Sequence, residues 1–385
     1  MILDLNVEQR IVQEQARRFA ENEIRPTMEE DEKNHIFRPE RVRGMGELGF
    51  FGCAIPEEYG GNGMGFLESV IMTEQIARVS PSWRLPFNMQ NIGPAITVSQ
   101  FGTEEQKRAL IPPWVSGEKI GFFAITEPDT GSDVSGMKTT AKDMGEHWEL
   151  NGQKMWISNA TVGDAGLVYA YTDKEKKYKG MTCFIVNLKE TPGITTRAIE
   201  TKLGLHCAPT GEIVFDGAKV PEDAVLGRVG DGFDICMWML NNTRLGCAAG
   251  ALGVAGACAE LAIKYANERT QFGRPISKFQ MVQAQIAELV AEHEAAKLLV
   301  YRAAYLKDQG KPNQMQTSIA KLYASEAAVR AANEAMKIFG SYGFSTEYPI
   351  ERYYRDAKSL QVVEGTSNIQ KLIIAGIACG HQANR

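Results

Sequence analysis

The chain has 385 residues, more than one hydrophobic core usually supports, so two or three domains with room for a large ligand are expected. Its 44% hydrophobic and 23% charged residues describe an ordinary globular protein rather than a disordered or fibrous one. A net charge of -5 with no strongly basic stretch argues against nucleic acid as a partner.

From Val7 to about Trp114 apolar residues recur at helical spacing, first as Ile11, Ala16, Phe19 and Ile24, then as Leu67, Ile71, Ile76 and Val79. The stretch Gly60 to Gly65 contains a nominal G-x-G-x-G but lacks the preceding strand of a dinucleotide-binding unit, and is assigned to a loop. Pro112-Pro113 is predicted to stop the last helix of this region. Residues 1–118 therefore read as an N-terminal helical domain.

Residues 119–228 change texture, with β-favouring runs at Gly166–Thr172, Met181–Asn187 and Glu212–Asp216 set between glycine-rich or charged turns, as in a small β domain. Residues 229–385 are rich in Ala, Leu, Met and Glu, with helical windows at Phe279–Lys307 and Gln314–Phe339 divided by Gly310-Lys-Pro312. A C-terminal helical bundle is expected.

Seven cysteines, at 53, 183, 207, 236, 247, 258 and 379, form no C-x-x-C pair and read as free thiols in a reducing compartment. The five histidines show no zinc-ligand spacing, so no metal is expected. The N-terminus lacks a basic region followed by an apolar stretch. No apolar run approaches the ~20 residues that span a bilayer. A cytoplasmic location without a membrane span is expected.

Glu364 closes the apolar run Leu360-Gln-Val-Val and precedes a glycine and a helix start at Thr366 or Ser367. Ionisation is penalised among apolar side chains, which raises a carboxyl toward the range of reversible proton transfer and makes Glu364 the candidate catalytic base. The alternative is a carboxylate stabilised only by the helix dipole.

Three further segments bear on that choice: AITEPDTGSDVSGMKT from Ala124 to Thr139, MWISNA from Met155 to Ala160, and ANERTQFGR from Ala266 to Arg274. Together with VEGTS from Val363 to Ser367 they stand in the order and separations of the acyl-CoA dehydrogenases, which the chain resembles over essentially its whole length. The resemblance implies an α+β fold: an N-terminal helical domain, a middle β-barrel-like domain and a C-terminal four-helix bundle. It also implies bound FAD, a homotetramer, and electron-transferring flavoprotein as acceptor.

By the same resemblance Thr126, Trp156 and Ser158 line the flavin ring, with the Ser158 hydroxyl near N5. Arg269, Gln271, Phe272 and Gln280 reach the pyrophosphate and adenosine of a neighbouring subunit's flavin, and Lys337, Gly340, Thr366 and Asn368 complete that site. Relatives often carry glutamine at the position of Lys337. Ser132 matches a serine near the CoA pyrophosphate, and Asn241, Thr243 and Arg244 match positions along the thioester ligand. Some subgroups place the catalytic glutamate where Thr243 stands; this chain keeps it at Glu364.

Substrate choice is expected to rest on Arg84, one cation in the apolar stretch Trp83-Arg-Leu-Pro-Phe87, because a buried guanidinium needs an anionic or carbonyl partner. Glutaryl-CoA dehydrogenases carry an arginine in this setting. Their decarboxylating members have tyrosine just before the catalytic glutamate and an acidic residue seven before the arginine; here those positions are Val363 and Ala77. The resemblance therefore points to glutaryl-CoA oxidised to glutaconyl-CoA without loss of carbon dioxide. An alicyclic or aryl-substituted succinyl thioester is the alternative substrate, with Trp83, Phe87 and Val363 lining a wider pocket. A flavin-binding electron-transfer or scaffold homologue is the alternative of another class, and loss of the base would mark it.

Overall fold

The computed structural model describes residues 4–381. The N-terminal region is helical: α1 (Val7–Phe19), α2 (Met28–Asn34), α3 (Pro39–Glu47), α4 (Phe66–Val79), α5 (Pro81–Ile92), α6 (Pro94–Phe101) and α7 (Glu104–Val115). Asn6 and Gln9 form a reciprocal capping box that starts α1. Val12, not the expected Ile11, faces the core with Ala16 and Phe19, and a π turn over Ala20–Ile24 then brings Ile24 inward. The glycines from 60 to 65 form a loop that ends at α4, whose first amides donate to the Asp308 carboxylate.

Pro112 and Pro113 do not stop α7, contrary to expectation; the helix runs through them to Val115. Both lie in its last turn. The carbonyls they leave without an N–H partner belong to Arg108 and Ala109, which are exposed and reach water, and Ser116 N–H resumes the pattern on the Pro112 carbonyl at 2.9 Å.

Eight strands follow: β1 (Gly121–Ala124), β2 (Thr140–Asp143), β3 (His147–Ser158), β4 (Ala165–Tyr171), β5 (Met181–Asn187), β6 (Ile194–Ala198), β7 (Thr210–Pro221) and β8 (Val225–Leu226). Their order is β6-β7-β3-β2-β4-β5-β8, with β1 parallel to β4. A single residue pair, Thr140 and Tyr171, joins β2 to β4. The two halves on either side of that join share one core, in which Trp148, Leu150, Ile213 and Phe215 meet Phe122, Val168, Phe184 and Val186. The opposite faces of β4 and β5 pack through Leu167, Tyr169 and Cys183 on Ile96, Trp114 and Cys236 of the helical regions. Burial on both faces explains why β4 reads as a continuous apolar run.

The C-terminal region comprises α8 (Gly232–Glu268), a short hairpin of β9 (Thr270–Gln271) and β10 (Arg274–Pro275), α9 (Gln280–Asp308), α10 (Gln314–Phe339), α11 (Ile350–Leu360) and α12 (Ser367–Ala378). Helix α8 is long and apolar enough to cross a membrane by length and composition, which corrects the expectation that no run comes close, yet 83% of its most apolar window is buried inside the protein. It packs against α4, α9 and α10. Close approach is made possible by small residues: a Cβ at Gly253 would lie 2.3 Å from the Glu74 carbonyl of α4, and α10 presents Ala320, Ala324, Ala328 and Ala332 to the core. The N-terminal helices thus share a core with the C-terminal bundle, and α5, α8, α10 and the α11–α12 link converge.

Candidate active site

Glu364 lies in the link between α11 and α12, in the left-handed region at φ 58°, followed by Gly365 at φ 86°. That conformation costs a non-glycine residue about 1 kcal/mol or more and persists where the surroundings impose it. Here three side chains hold it. Arg244 Nε donates to the Glu364 carbonyl at 3.1 Å, Lys321 Nζ to the Gly365 carbonyl at 2.9 Å, and Gln370 Nε2 to both, at 3.3 and 2.9 Å. Thr366 then caps α12, accepting from Ile369 N–H at 3.3 Å.

The Glu364 carboxylate accepts a 2.6 Å hydrogen bond from the Thr243 hydroxyl. The residue keeps partial solvent access, although protein surrounds its carboxylate. Burial raises the carboxyl above its ordinary range, against the opposing pull of Thr243 and of the cations Arg84, Arg244 and Lys321. Among the described residues the Glu364 backbone N–H finds no acceptor. The site therefore offers a basic carboxylate and, beside it, a free amide donor.

Arg84 comes from α5 and is 2% exposed. Among the described residues its Nε and one terminal nitrogen have no hydrogen-bond partner. Its stem crosses α8 at Gly250, where a Cβ would lie 2.6 Å from Arg84 Cδ, so the glycine creates the guanidinium's berth. The cation is close enough to Glu364 to act on its proton affinity. Ala77 is buried on α4, and Val363 is half-buried next to Glu364.

A second group assembles at the edge of the sheet. Met155 N–H donates to the Thr126 carbonyl at 2.8 Å, which draws the 126–133 loop alongside the end of β3. Register shifts between Lys154 and Ile157 where β3 pairs with β7, and there Trp156 adopts φ 63° and leaves its side chain 55% exposed. Ser158 is half-buried opposite Thr210, and its hydroxyl makes no hydrogen bond among the described residues. Glu127 anchors the loop from inside: Lys154 Nζ donates to it at 2.9 Å, as do the backbone amides of Lys138 and Thr139. Burial pushes the Glu127 carboxyl up, but these partners outweigh it and hold it below the usual range. Ser132 is exposed in the same loop.

A third group faces solvent on the C-terminal region. Arg269 stacks 5.6 Å from the Tyr342 ring, close in sequence to Gly340, which ends α10 at φ 61°. Gln271 and Phe272 sit on the β9–β10 hairpin and Gln280 begins α9, all exposed, with Phe272 at 92%. Lys337 is engaged by Glu334 at 2.5 Å, and Asn368 is exposed on the first turn of α12. Asn241 donates to Asn313 at 3.0 Å, while its own Oδ1 is buried without a partner among the described residues.

The fold thus brings Glu364, Thr243, Arg244 and Arg84 into one cluster and Thr126, Trp156 and Ser158 into another at the sheet edge. Sequence reasoning missed Lys321, Gln370 and Gly250. A signal for Lys321 was present: a lysine at a core position of the alanine stripe Thr317, Lys321, Ala324, Ala328.

Family models for the N-terminal, middle and C-terminal domains of acyl-CoA dehydrogenases match residues 6–118, 122–218 and 230–378. The chain is 49% identical to a glutaryl-CoA dehydrogenase of Desulfococcus multivorans, covering 100% of both chains. It is 42% identical to the human mitochondrial short-chain specific acyl-CoA dehydrogenase, covering 94% of this chain and 87% of that one. Among solved structures, a glutaryl-coenzyme A dehydrogenase in complex with glutaryl-CoA superposes with a TM-score of 0.97 at 47% identity, covering 100% of this chain and 98% of the other. Three matched domains in order, with full-length relatives of this identity, show that the chain belongs to the acyl-CoA dehydrogenases, oxidoreductases acting on the CH–CH bond of acyl-CoA thioesters.

Proposed function

We propose that the enzyme oxidises glutaryl-CoA to glutaconyl-CoA and retains the carboxyl group. The observation that carries this reading is Arg84: a buried guanidinium with two nitrogens lacking partners, within electrostatic reach of Glu364. A buried cation without a partner is costly, and a substrate carboxylate at the far end of the acyl chain would satisfy it. An uncharged short-chain thioester, as the human relative's name suggests for that protein, would leave it unsatisfied.

In this reading Glu364 removes the α-proton, helped by its raised proton affinity, while its free backbone N–H polarises the thioester carbonyl. Thr243 and the clamp on the Glu364–Gly365 turn fix the carboxylate's direction. Arg84 holds the distal carboxylate and so sets the α-carbon against the Glu364 base.

The cofactor is FAD, as befits a family of flavoproteins. The exposed Trp156 indole, the free Ser158 hydroxyl and the exposed Arg269 fit a ring, a hydrogen-bond acceptor and a pyrophosphate respectively. Bound FAD supplies a two-electron acceptor for the β-hydride. The reading extends to a homotetramer in which Arg269, Gln271, Phe272 and Gln280 serve a neighbour's cofactor, supported by the exposure of that face, and to electron-transferring flavoprotein as the external acceptor.

Ala77 offers no carboxylate and Val363 no hydroxyl, so two groups that accompany decarboxylation in the relatives are missing. The test is anaerobic turnover of glutaryl-CoA with an artificial acceptor and mass analysis of the product. Glutaconyl-CoA is expected; crotonyl-CoA as main product overturns the assignment.

A further inference from the structure

Lys321 is fully buried on α10, in a stripe otherwise made of small residues. An ammonium in such a place is expensive unless a charge or several acceptors meet it. Among the described residues its one hydrogen bond goes to the Gly365 carbonyl at 2.9 Å, and no carboxylate lies within ion-pair distance. That carbonyl already accepts from Gln370 Nε2 at 2.9 Å. An apolar side chain at position 321 would orphan no acceptor, so satisfying the backbone does not account for the charge.

The groups facing Glu364 define what the charge acts on. From α5 comes Arg84; from α8 come Arg244 and the thiols of Cys236 and Cys247; from α10 comes Lys321. Burial pushes both thiols up, Cys236 to about 12, so they remain neutral. Glu326 of α10 is engaged by Gln361 and Ser367, and Lys358 and Lys371 of α11 and α12 are exposed. Three cations therefore bear on one carboxylate. When a substrate carboxylate binds Arg84 its charge is cancelled, and Arg244 is fastened to the Glu364 carbonyl.

We propose that Lys321 is a positioning residue for the base: its buried ammonium keeps Glu364 ionised after substrate has neutralised Arg84 and displaced water. The proposal rests on the reading of Glu364 as base. Lys321 contacts the turn and not the reacting carbons, so beyond its share in holding that turn it acts through the proton affinity of Glu364.

The test uses FAD-loaded K321M, K321Q and K321R, mixed anaerobically with glutaryl-CoA across pH while flavin bleaching is followed. The midpoint of the acid limb should rise by roughly one unit in K321M and K321Q, about tenfold in rate below it, and K321R should restore the wild-type profile. Infrared titration of the Glu364 carboxyl, assigned by its loss in E364Q, should show the same upward shift without turnover. An unmoved midpoint in K321M overturns the proposal, as does K321Q matching wild type while K321M shifts, because the hydrogen bond alone would then suffice. Should K321M not fold, judged by FAD content and circular dichroism, K321Q against K321R decides. E364Q separates the two readings: if it bleaches at the wild-type rate the base lies elsewhere and both fall, whereas an inert E364Q with an unmoved K321 profile removes this proposal alone.

Discussion

Replacing Arg84 by methionine tests the substrate reading where the structure is most specific. The guanidinium is 2% exposed and two of its nitrogens are unpartnered, so a carboxylate meeting it would form charge-assisted bonds in a desolvated site. Losing such a contact costs about 2–5 kcal/mol, or roughly 30-fold to several thousand-fold in kcat/KM for glutaryl-CoA. The same substitution removes one cation that lowers the Glu364 carboxyl, and this slows every substrate alike. Pentanoyl-CoA, of equal chain length but without the distal charge, isolates the two effects. The ratio of kcat/KM for glutaryl-CoA over pentanoyl-CoA should fall by the full factor, while pentanoyl-CoA turnover loses only the share that acts through Glu364. G250A should lower the same ratio more mildly, since its methyl group would displace the Arg84 stem. Equal losses on both thioesters in R84M would refute the reasoning and leave Arg84 as a purely electrostatic neighbour of Glu364.

E364Q should abolish flavin bleaching by substrate while FAD stays bound, because the amide preserves volume but cannot take the α-proton; an anaerobic spectrum decides it. T243V removes the 2.6 Å donor to Glu364 and should raise its proton affinity further, so activity should drop more at pH 6 than at pH 8.5, with a uniform loss counting against the idea. Asp356 is buried, and desolvation reinforced by the charge of Glu32 pushes its carboxyl from 3.8 up to about 7. The folded state then holds a proton that the unfolded chain has lost, so this group's stabilising contribution is present at low pH and disappears as pH rises toward 7, by at most about 4 kcal/mol. Wild-type Tm should therefore fall between pH 5 and 8 by more than that of D356N, in which the Leu205 amide keeps its acceptor.

Strand and helix identities were legible where side-chain periodicity and turn chemistry agreed. Met181–Asn187 and Gln314–Phe339 fall where the patterns put them. The failures have local causes. Proline in a last helical turn exposes carbonyls to water and breaks nothing, so Pro112-Pro113 misled a rule meant for helix interiors. Ile11 misled because its neighbour Val12 is also apolar, and it is Val12 that shares a face with Ala16 and Phe19, whereas Ile24 is buried as expected despite the intervening π turn.

Sequence motifs named Glu364, Thr243, Arg244 and Arg84, but their meeting is a tertiary fact. Arg84 reaches the site because Gly250, 166 residues later, leaves room for its stem, and one glycine among the several of the apolar helix α8 carries no sign of what will occupy it. The carboxylate's chemistry has the same origin. Its raised proton affinity comes from burial, and the restraint on that rise comes from the Thr243 hydroxyl and from cations on α5, α8 and α10. Position 364 fixes which atom can take a proton. How strongly it holds that proton depends on residues as far away in the chain as 280 positions, and on a lysine whose place in an alanine stripe is intelligible only once α10 is seen to pass behind the Gly365 carbonyl.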